Sequence, residues 1–327
     1  MIDLIGNTPL IKLKYPSELT GCNIYGKAEF MNPGGSVKDR AALGIIQNAE
    51  EKKLIEPGGT VVEGTFGNTG IALTMINNAR GYKTIIVMPE AASLEKRDIL
   101  RNLGAELRIV ETKPYKDPGN YQHVSRRLAE ELKAKGQGSV IWANQFDNTA
   151  NYQFHAKTTA REIYNQLDGK VDGFTCAIGT GGTLAGTSVG LKELNPDIKI
   201  ACTDPQGATM YRYFKDSVLE VTGDPSETEG IGQARVTKNV EACLIDMAYH
   251  ISDKEAFELL YKLIKTECLF LGTSCGVNIA GAMQMAKEIG PGKNIVTILC
   301  DDAYKYFSKM FNKDFLKSKN LPIPDWL

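Results

Sequence analysis

Residues 60–89, "TVVEGTFGNTGIALTMINNARGYKTIIVMP", contain one complete unit of the pattern that decides the fold. A β-branched run at 60–64 leads into a glycine-rich turn that opens a longer segment, and a second β-branched run follows at 84–89. Short β-branched runs separated by segments of helical length indicate βαβ units, in which the two strands are parallel. This stretch therefore predicts an α/β protein with parallel sheet.

The same alternation continues along the chain. Segments 93–103 and 120–135 carry spaced apolar residues and many charges, which is typical of amphipathic helices that cover the faces of a sheet. The polar stretch 113–122, with two prolines and a glycine, predicts a surface loop. We expect strands that are buried on both faces, and the further strand-like runs are 106–110, 139–143, 173–178, 198–203 and 294–299.

Composition limits the classes of function. The 327 residues are 43% hydrophobic, enough for a large core and for two domains, and 38 basic and 39 acidic side chains give a net charge of −1. Without a long basic run, nothing favours nucleic acid or an anionic membrane surface as the partner, and a small-molecule ligand is the better expectation. No apolar run approaches the ~20 residues of a membrane span, and the first residues lack the features of a targeting segment.

Seven cysteines are scattered through the chain, with no CxxC pair. An odd number of cysteines in strand-like apolar stretches is typical of reduced, mostly buried thiols rather than of a disulfide framework. The cysteines therefore predict a cytoplasmic protein.

One lysine stands where helices rarely place one. Residues 31–40, "MNPGGSVKDR", put Lys38 in the first turn of a helix after a flexible loop. A positive charge beside the unsatisfied N–H groups of a helix start is disfavoured by roughly 0.3–1 kcal/mol. Lys38 is either a solvated surface lysine that tolerates this cost or a lysine that is kept neutral or bound covalently.

Three turns rich in glycine or small residues follow strand-like runs. They are "AIGTGGTLAG" at 177–186, "EGTFGNTG" at 63–70 and "LGTSCGVN" at 271–278. Such turns let backbone N–H groups converge on an anion at a helix N-terminus. Together with Lys38 they favour a ligand with a phosphate, a carboxylate and a carbonyl that reacts with lysine, a description that fits pyridoxal phosphate with an amino acid.

Two nucleotide-binding patterns are weaker matches. Gly179 and Gly181 fit the first two glycines of GxGxxG, but Leu184 occupies the third position, so a Rossmann-type NAD-binding protein with Asp204 on the ribose remains an alternative. Residues 21–28, "GCNIYGKA", have the spacing of GxxxxGK, but the alanine replaces the metal-binding hydroxyl. We interpret that stretch as a structural strand.

A set of motifs spread over nearly the whole chain resembles the O-acetylserine sulfhydrylases, or cysteine synthases, among the fold-type II pyridoxal-phosphate enzymes. Cystathionine β-synthases are near relatives of that family. The motifs are "IGNTPL" at 5–10, "NPGGSVKDR" at 32–40, "GNTG" at 67–70, "NQF" at 144–146, "GTGGT" at 179–183, "TEGIGQ" at 228–233 and the "GTSCG" turn.

The resemblance implies an α/β fold of two three-layer domains with mostly parallel sheets, the tryptophan-synthase-β-like architecture. The smaller domain would span 38–146 and move to close over substrate. The larger domain would combine 1–37 with 147–327 and hold the cofactor phosphate. A homodimer is implied as well, and docking of a serine acetyltransferase in the active-site cleft stays open.

Site residues carry over position by position from the family motifs. Lys38 would bind pyridoxal phosphate covalently and act as the acid and base, and the 179–183 loop would bind the phosphate. No metal is expected. The cofactor-binding set is Lys38, Asn68 on the ring hydroxyl, Gly179, Thr180, Gly181, Gly182, Thr183, and Ser274 on the ring nitrogen; the substrate-binding set is Thr65, Phe66, Asn68, Thr69 and Gln145.

The reaction implied is β-replacement, in which O-acetylserine and sulfide give L-cysteine through an aminoacrylate intermediate. A neutral hydroxyl at Ser274 leaves the ring a weaker electron sink than a carboxylate would, which favours prompt loss of a β leaving group. The chain departs from the usual "PTSGNTG" pattern at Gly64 and Phe66. The missing serine hydroxyl leaves the substrate open. Because the choice of nucleophile depends on the shape of the pocket, cystathionine β-synthase and cysteine desulfhydrase activities remain alternatives.

Overall fold

The computed structural model describes residues 1–136, 138–221 and 223–327. In these ranges the strands form two separate sheets. The strands are β1 (Leu10–Lys12), β2 (Asn23–Ala28), β3 (Thr60–Gly64), β4 (Lys83–Pro89), β5 (Glu106–Val110), β6 (Val140–Trp142), β7 (Gly173–Cys176), β8 (Lys199–Pro205), β9 (Met247–Ile251) and β10 (Asn294–Leu299).

The helices surround these sheets, and short 3-10 turns occur at Ile2–Leu4, Glu29–Met31, Val240–Ala242 and Ala303–Tyr306. The helices are α1 (Lys14–Thr20), α2 (Lys38–Glu51), α3 (Asn68–Arg80), α4 (Leu94–Asn102), α5 (Tyr121–Ala134), α6 (Ala150–Lys157), α7 (Thr159–Gln166), α8 (Gly182–Leu194), α9 (Met210–Asp216), α10 (Asp253–Glu267), α11 (Thr273–Ile289), α12 (Phe307–Met310) and α13 (Lys313–Ser318).

The two sheets are almost entirely parallel. The larger has the order β1-β2-β10-β7-β8-β9, in which only the β1–β2 pair is antiparallel, and the smaller has the parallel order β5-β4-β3-β6. Parallel strands need helical crossovers, and the chain supplies them between successive strands. The predicted α/β class with mostly parallel sheets is confirmed.

Most predicted elements are present, with bounds shifted by a few residues. The helices expected at 93–103 and 120–135 are α4 and α5, and all seven predicted strands form. The expectation that every strand is buried on both faces is wrong for β5, which is an edge strand with Arg108 and Ile109 exposed. An edge strand has a neighbour on one side only, so solvent reaches it.

Asp204 and the stretch 21–28, which belong to the two weaker nucleotide-binding patterns, have structural roles. Asp204 is fully buried and accepts a hydrogen bond from the backbone N–H of Tyr211 at 2.8 Å, so it fixes the start of α9 rather than facing a ribose. In the stretch 21–28, Lys27 is buried on β2 with its Nζ 2.7 Å from Glu162. That stretch is a core strand, as interpreted from its sequence.

A buried ionic network joins elements that are distant in sequence. The Arg40 guanidinium, fully buried in α2, donates two hydrogen bonds to Glu29, from Nε at 2.7 Å and from Nη2 at 2.8 Å. It donates two more to Glu162 of α7, both at 2.7 Å. Four charge-assisted bonds fix the start of α2 against the larger sheet.

Among the residues described, no helix is both long and apolar enough to cross a bilayer.

Candidate active site

Lys38 is the first residue of α2, as the charge pattern predicts. The preceding residue, Val37, provides no side-chain cap, and the Lys38 N–H donates to the Ser36 hydroxyl at 3.2 Å. The side chain is partly buried in the wall of a cavity of about 500 Å³. Within the described ranges its Nζ has neither a hydrogen bond nor an ion pair. The cation that the helix start disfavours thus faces a cavity without a counter-ion.

All three small-residue turns meet at this cavity. Two of them follow the carboxyl ends of the parallel strands β3 and β7, whereas the third follows α10, so the expectation that it follows a strand is wrong. The turn after β3 contributes 65–69, the turn after β7 contributes Gly179 and Thr180, and the start of α11 contributes Ser274. Gly181 and Thr183 line a smaller adjoining space together with Lys38, and Gly182 begins α8 between them. Gln145 is also in the wall of the main cavity.

The 179–183 loop is held in place by side chains from other elements. The Asn151 amide donates to the Thr180 hydroxyl at 3.0 Å, and the Thr237 hydroxyl donates to the Thr180 carbonyl at 2.8 Å. The Thr183 hydroxyl lies 3.3 Å from Nε2 of His155. Complete burial lowers the pKa of His155 well below its ordinary value, so the imidazole is neutral.

Glycine at 181 and 182 is required by the packing. Gly181 has φ +90°, and a Cβ there would lie 2.6 Å from the Val240 side chain. A Cβ on Gly182 would lie 2.1 Å from the Asn151 amide oxygen. The loop is therefore pressed against the protein on one side, while its position before α8 leaves N–H groups without intrahelical acceptors. This is the arrangement of an anion cradle.

The 65–69 loop is braced by Gln145. The Thr69 hydroxyl donates to the Gln145 Oε1 at 2.6 Å, and the Gln145 Nε2 donates to the Gly64 carbonyl at 3.2 Å. Thr65 and Thr69 are almost fully buried, whereas Phe66 and Asn68 are partly exposed to the cavity. The loop is thus a fixed structure at the N-terminus of α3.

Asn68 connects the smaller sheet to the larger one. Its Nδ2 donates to the Asp301 carboxylate at 2.7 Å, and the Tyr306 hydroxyl donates to the same carboxylate oxygen at 2.6 Å. The buried Oδ1 of Asn68 has no hydrogen-bond partner in the described part of the chain. A buried acceptor without a donor is costly, which points to a ligand that supplies one.

A second charged group at the cavity was not predicted from the sequence. Glu229 lies between Lys96 of α4, at 2.7 Å, and Lys309 of α12, at 2.6 Å. Burial alone would raise the pKa of the Glu229 carboxyl, but the two lysines hold it below its ordinary value. Lys96 has the sequence setting of a surface helix lysine, and no local signal shows that it is buried. The cluster ties α4 to the loop around Glu229 across the cavity.

Comparison with known proteins places the chain in a family. Residues 1–301 match the family described as "Pyridoxal-phosphate dependent enzyme". The chain belongs to this family. It therefore uses pyridoxal phosphate.

Individual relatives cover almost the full length. Cysteine synthase 1 of Neurospora crassa is 48% identical over 99% of this chain and 86% of its own. An O-acetylserine dependent cystathionine beta-synthase from Helicobacter pylori has a TM-score of 0.84 at 34% identity, covering 94% of this chain and 96% of its own. A hydrogen sulfide-producing enzyme from Fusobacterium nucleatum has a TM-score of 0.83 at 36% identity, covering 93% of this chain and 98% of its own.

The residues at the cavity fit the cofactor of this family. The amine without a counter-ion suits the cofactor's aldehyde, and the anion cradle suits its phosphate. The buried amide oxygen without a donor suits its ring hydroxyl, and the hydroxyl at Ser274 suits its ring nitrogen. These groups come from both sheets, so the cofactor family and the geometry agree.

Glu63 is a buried acid beneath the 65–69 loop. It lies on β3 with 1% of its surface exposed, and its Oε2 has no hydrogen-bond partner among the residues described. Burial raises the pKa of this carboxyl to about 8, although a side-chain hydrogen bond to Gln145 and backbone N–H groups, including that of Gly64, act in the opposite direction. Glu63 is therefore largely protonated at neutral pH.

We expect Glu63→Gln to flatten the pH dependence of stability. The pKa of Glu63 in the folded state is raised above its ordinary value of 4.5, so its contribution is fully present below that pH and is lost as the pH rises towards about 8. Urea unfolding at about pH 6 and about pH 9 measures the slope. If the variant loses as much stability over this interval as the natural chain does, the ionisation of Glu63 is not responsible.

Proposed function

We propose that the protein is a cysteine synthase, which makes L-cysteine from O-acetylserine, or a similarly activated serine, and sulfide. The observation that carries the proposal is Lys38, an amine without a counter-ion at a helix start, in the wall of a cavity formed by all three turns. The 48% identity to Cysteine synthase 1 of Neurospora crassa over 99% of the chain supports the choice within the family.

Four parts of the site would hold pyridoxal phosphate. Lys38 would bind its aldehyde, the 179–183 loop its phosphate, the Oδ1 of Asn68 its ring hydroxyl, and Ser274 its ring nitrogen. When bound, the cofactor supplies an electron-withdrawing ring that stabilises negative charge at the substrate α-carbon. The neutral Ser274 hydroxyl would keep this withdrawal moderate, which suits elimination of a β substituent.

Lys38 would perform the proton transfers. With substrate bound in the cavity, the free Lys38 amine would take the α-proton while acetate leaves from the β-carbon. After sulfide adds to the β-carbon, Lys38 returns the proton to the α-carbon.

The substrate carboxylate would bind at the N-terminus of α3. This helix has 13 residues and begins directly after the 65–67 turn, so N–H groups without intrahelical acceptors lie at the cavity. Thr65, Asn68 and Thr69 would contribute hydrogen bonds. Gln145 is engaged with Thr69 and Gly64, and its role would be to keep this loop in the binding conformation.

Phe66 both packs and lines the cavity. Its ring meets Tyr121 edge-on, with centroids 5.5 Å apart and an interplanar angle of 88°. The same side chain contacts an apolar cluster that includes Ile71 and Met88. Tyr121 also lines the cavity, so an aromatic pair occupies the position beside the substrate loop. This favours a role for Phe66 in substrate selection.

We expect Phe66→Ser to change the ratio of kcat/KM for O-acetylserine to that for β-chloroalanine by about tenfold or more, which is on the order of 1.4 kcal/mol of differential transition-state binding. The serine opens the space of the ring and adds a donor for the carboxylate. Steady-state kinetics of both substrates measure the ratio, and Phe66→Leu, which keeps the apolar bulk, is the control. If both variants lower kcat/KM equally for the two substrates, Phe66 is only a packing residue.

Product formation tests the proposed reaction. Purified protein with pyridoxal phosphate is assayed with O-acetylserine plus sulfide, with serine plus homocysteine, and with cysteine alone. We expect the first pair to give by far the highest kcat/KM. A preference for homocysteine would indicate cystathionine β-synthase activity, and release of sulfide from cysteine would indicate a desulfhydrase; either result contradicts the proposal.

The remaining expectations belong to this proposal. Residues 38–146 would form a smaller, moving domain, and 1–37 with 147–327 a larger one; the four strands of the smaller sheet all lie within the former range. A homodimer and docking of a serine acetyltransferase rest on family resemblance, and a monomeric mass in gel filtration would contradict the dimer. A cytoplasmic location is supported by seven free cysteines.

A further inference from the structure

Two cysteines lie together where the cofactor site meets the larger sheet. Cys275 is the third residue of α11, and Cys300 directly follows β10. The Cys300 N–H donates to the Cys275 Sγ at 3.1 Å, and the Cys275 thiol donates to the Asp301 carbonyl at 3.4 Å. The Cys300 sulfur in turn accepts a hydrogen bond from the Asn278 amide at 3.3 Å. Cys275 is thus placed between the backbones of Cys300 and Asp301, with its sulfur against the backbone N–H of Cys300.

Only one member of this pair is open to small molecules. Cys275 is completely buried, whereas Cys300 is partly exposed and lines both the main cavity and the adjoining space next to Lys38. A small oxidant that enters the cavity therefore reaches Cys300 first and finds a second thiol directly behind it.

The surroundings of Cys300 favour its reactive form. The neighbouring Cys275 side chain lowers the pKa of the Cys300 thiol in spite of burial. The pKa of Cys275 is raised, chiefly by burial. A thiol of lowered pKa at the cavity, next to a fully buried second thiol, is the arrangement of an attacking and a resolving cysteine.

We propose that Cys300 and Cys275 form a reversible disulfide that switches the active site off. With hydrogen peroxide, the Cys300 thiolate attacks one oxygen and the O–O bond breaks, leaving a sulfenic acid and, after protonation, one water. The Cys275 sulfur then attacks the Cys300 sulfur, the S–O bond breaks, and a second water leaves with the Cys275 proton. Two thiols are oxidised, one peroxide is reduced, and a dithiol reductant reverses the step.

The disulfide would disturb the site because each cysteine adjoins a residue of the cofactor region. Cys275 follows Ser274 in α11, and Cys300 precedes Asp301, whose carboxylate accepts the hydrogen bond from Asn68. Bonding the two sulfurs removes the contacts of Cys275 with the Cys300 N–H and the Asp301 carbonyl. Both segments must shift, so Ser274 and Asn68 lose their positions together.

Mass spectrometry of the oxidised holoenzyme tests the proposal. The protein with bound cofactor is treated with hydrogen peroxide, its remaining thiols are alkylated, and its peptides are mapped. We expect a cross-linked pair of peptides joining Cys275 to Cys300, a loss of turnover in proportion to the cross-link, and recovery of both after dithiothreitol. The cross-link is detected whatever reaction the enzyme catalyses, so its absence does not bear on the proposed function.

Two variants and one control make the result decisive. Cys300→Ala and Cys275→Ala each remove one partner, and we expect their residual turnover to decay at least about tenfold more slowly in peroxide than that of the natural chain. Cys268→Ser removes the exposed cysteine and should decay at the natural rate. Inactivation without the Cys275–Cys300 cross-link, or equal inactivation of Cys300→Ala, overturns the proposal.

Discussion

Lys38→Ala is expected to lower kcat for O-acetylserine plus sulfide by at least about 10³-fold, because the substitution removes the group that transfers the proton as well as the covalent anchor of the cofactor. The variant should also lose the yellow absorption band that borohydride bleaches in the natural enzyme. The measurements are steady-state kinetics and an absorption spectrum, each on protein incubated with pyridoxal phosphate.

The fold should survive this change. The Lys38 Nζ takes part in no hydrogen bond or ion pair with any residue that the structure describes, and a cation at the start of α2 is unfavourable. We therefore expect no loss of unfolding free energy. Lys83→Ala, at an exposed lysine that begins β4, is the control and should retain full turnover. Substantial β-replacement by Lys38→Ala would mean that another residue is the base.

The largest effect on stability is expected at Arg40. Arg40→Ala removes five hydrogen bonds, four of them to carboxylates, and leaves the carboxylate of Glu29, which is fully buried, without its counter-ion. Breaking a buried ion pair from one side costs about 3–5 kcal/mol, since an uncompensated charge stays in the interior. Urea unfolding measures this loss.

A surface pair provides the matched control. Arg126 and Glu130 are in contact at 2.9 Å on α5, but both side chains are 60% exposed. Arg126→Ala should change the free energy of unfolding by no more than about 0.5 kcal/mol. A loss below about 1 kcal/mol in Arg40→Ala would show that water or a rearranged partner compensates Glu29. If Arg40→Ala does not fold, Arg40→Lys keeps the charge and reports the loss of the paired geometry alone.

The same ionic network also makes the stability of the fold depend on pH. Burial alone would raise the pKa of Glu162, but Arg40 and Lys27 lower it to about 2 from its ordinary 4.5. A lowered pKa in the folded state means that this contribution to stability is fully present above pH 4.5 and is lost as the pH falls towards about 2. In Arg40→Ala the pKa of Glu162 should lie closer to 4.5, so this loss should be smaller and complete at a higher pH, which acid unfolding curves of the two proteins would show.

The local sequence pattern was sufficient to predict the strands and helices that position the site. The β-branched runs at 60–64 and 84–89 are β3 and β4, and the small-residue turns open α3, α8 and α11 as expected. The cation at Lys38 begins α2. These features depend on hydrogen bonding and sterics within a few residues of the chain, so the sequence of each segment is enough to predict them.

β1 and β9 were not predicted, because both are edge strands of the larger sheet with partly exposed faces and have no continuous apolar run.

Motif resemblance added the family and the cofactor, and both are confirmed by the comparison over residues 1–301. It also brought the cofactor-binding and substrate-binding residues into one set, and the structure places all of them except Gly182 around one cavity and the small space beside it. Their individual roles remain predictions. The departure at Phe66 was visible in the sequence, but its contact with Tyr121 was not.

The sequence by itself determined the α/β class, the starts of the helices at the site and the position of Lys38 in the first turn of α2. Only the tertiary structure decided which distant residues meet: Lys96 with Glu229, Asn68 with Asp301, and Cys275 with Cys300. The physical reason is that secondary structure depends on neighbours along the chain, whereas these contacts depend on how two sheets are oriented around a common cavity. From sequence alone, a lysine in an amphipathic helix is expected to be exposed, and only the packing shows that it is buried. Likewise, only the packing shows that a cysteine after a strand has a second cysteine as its neighbour.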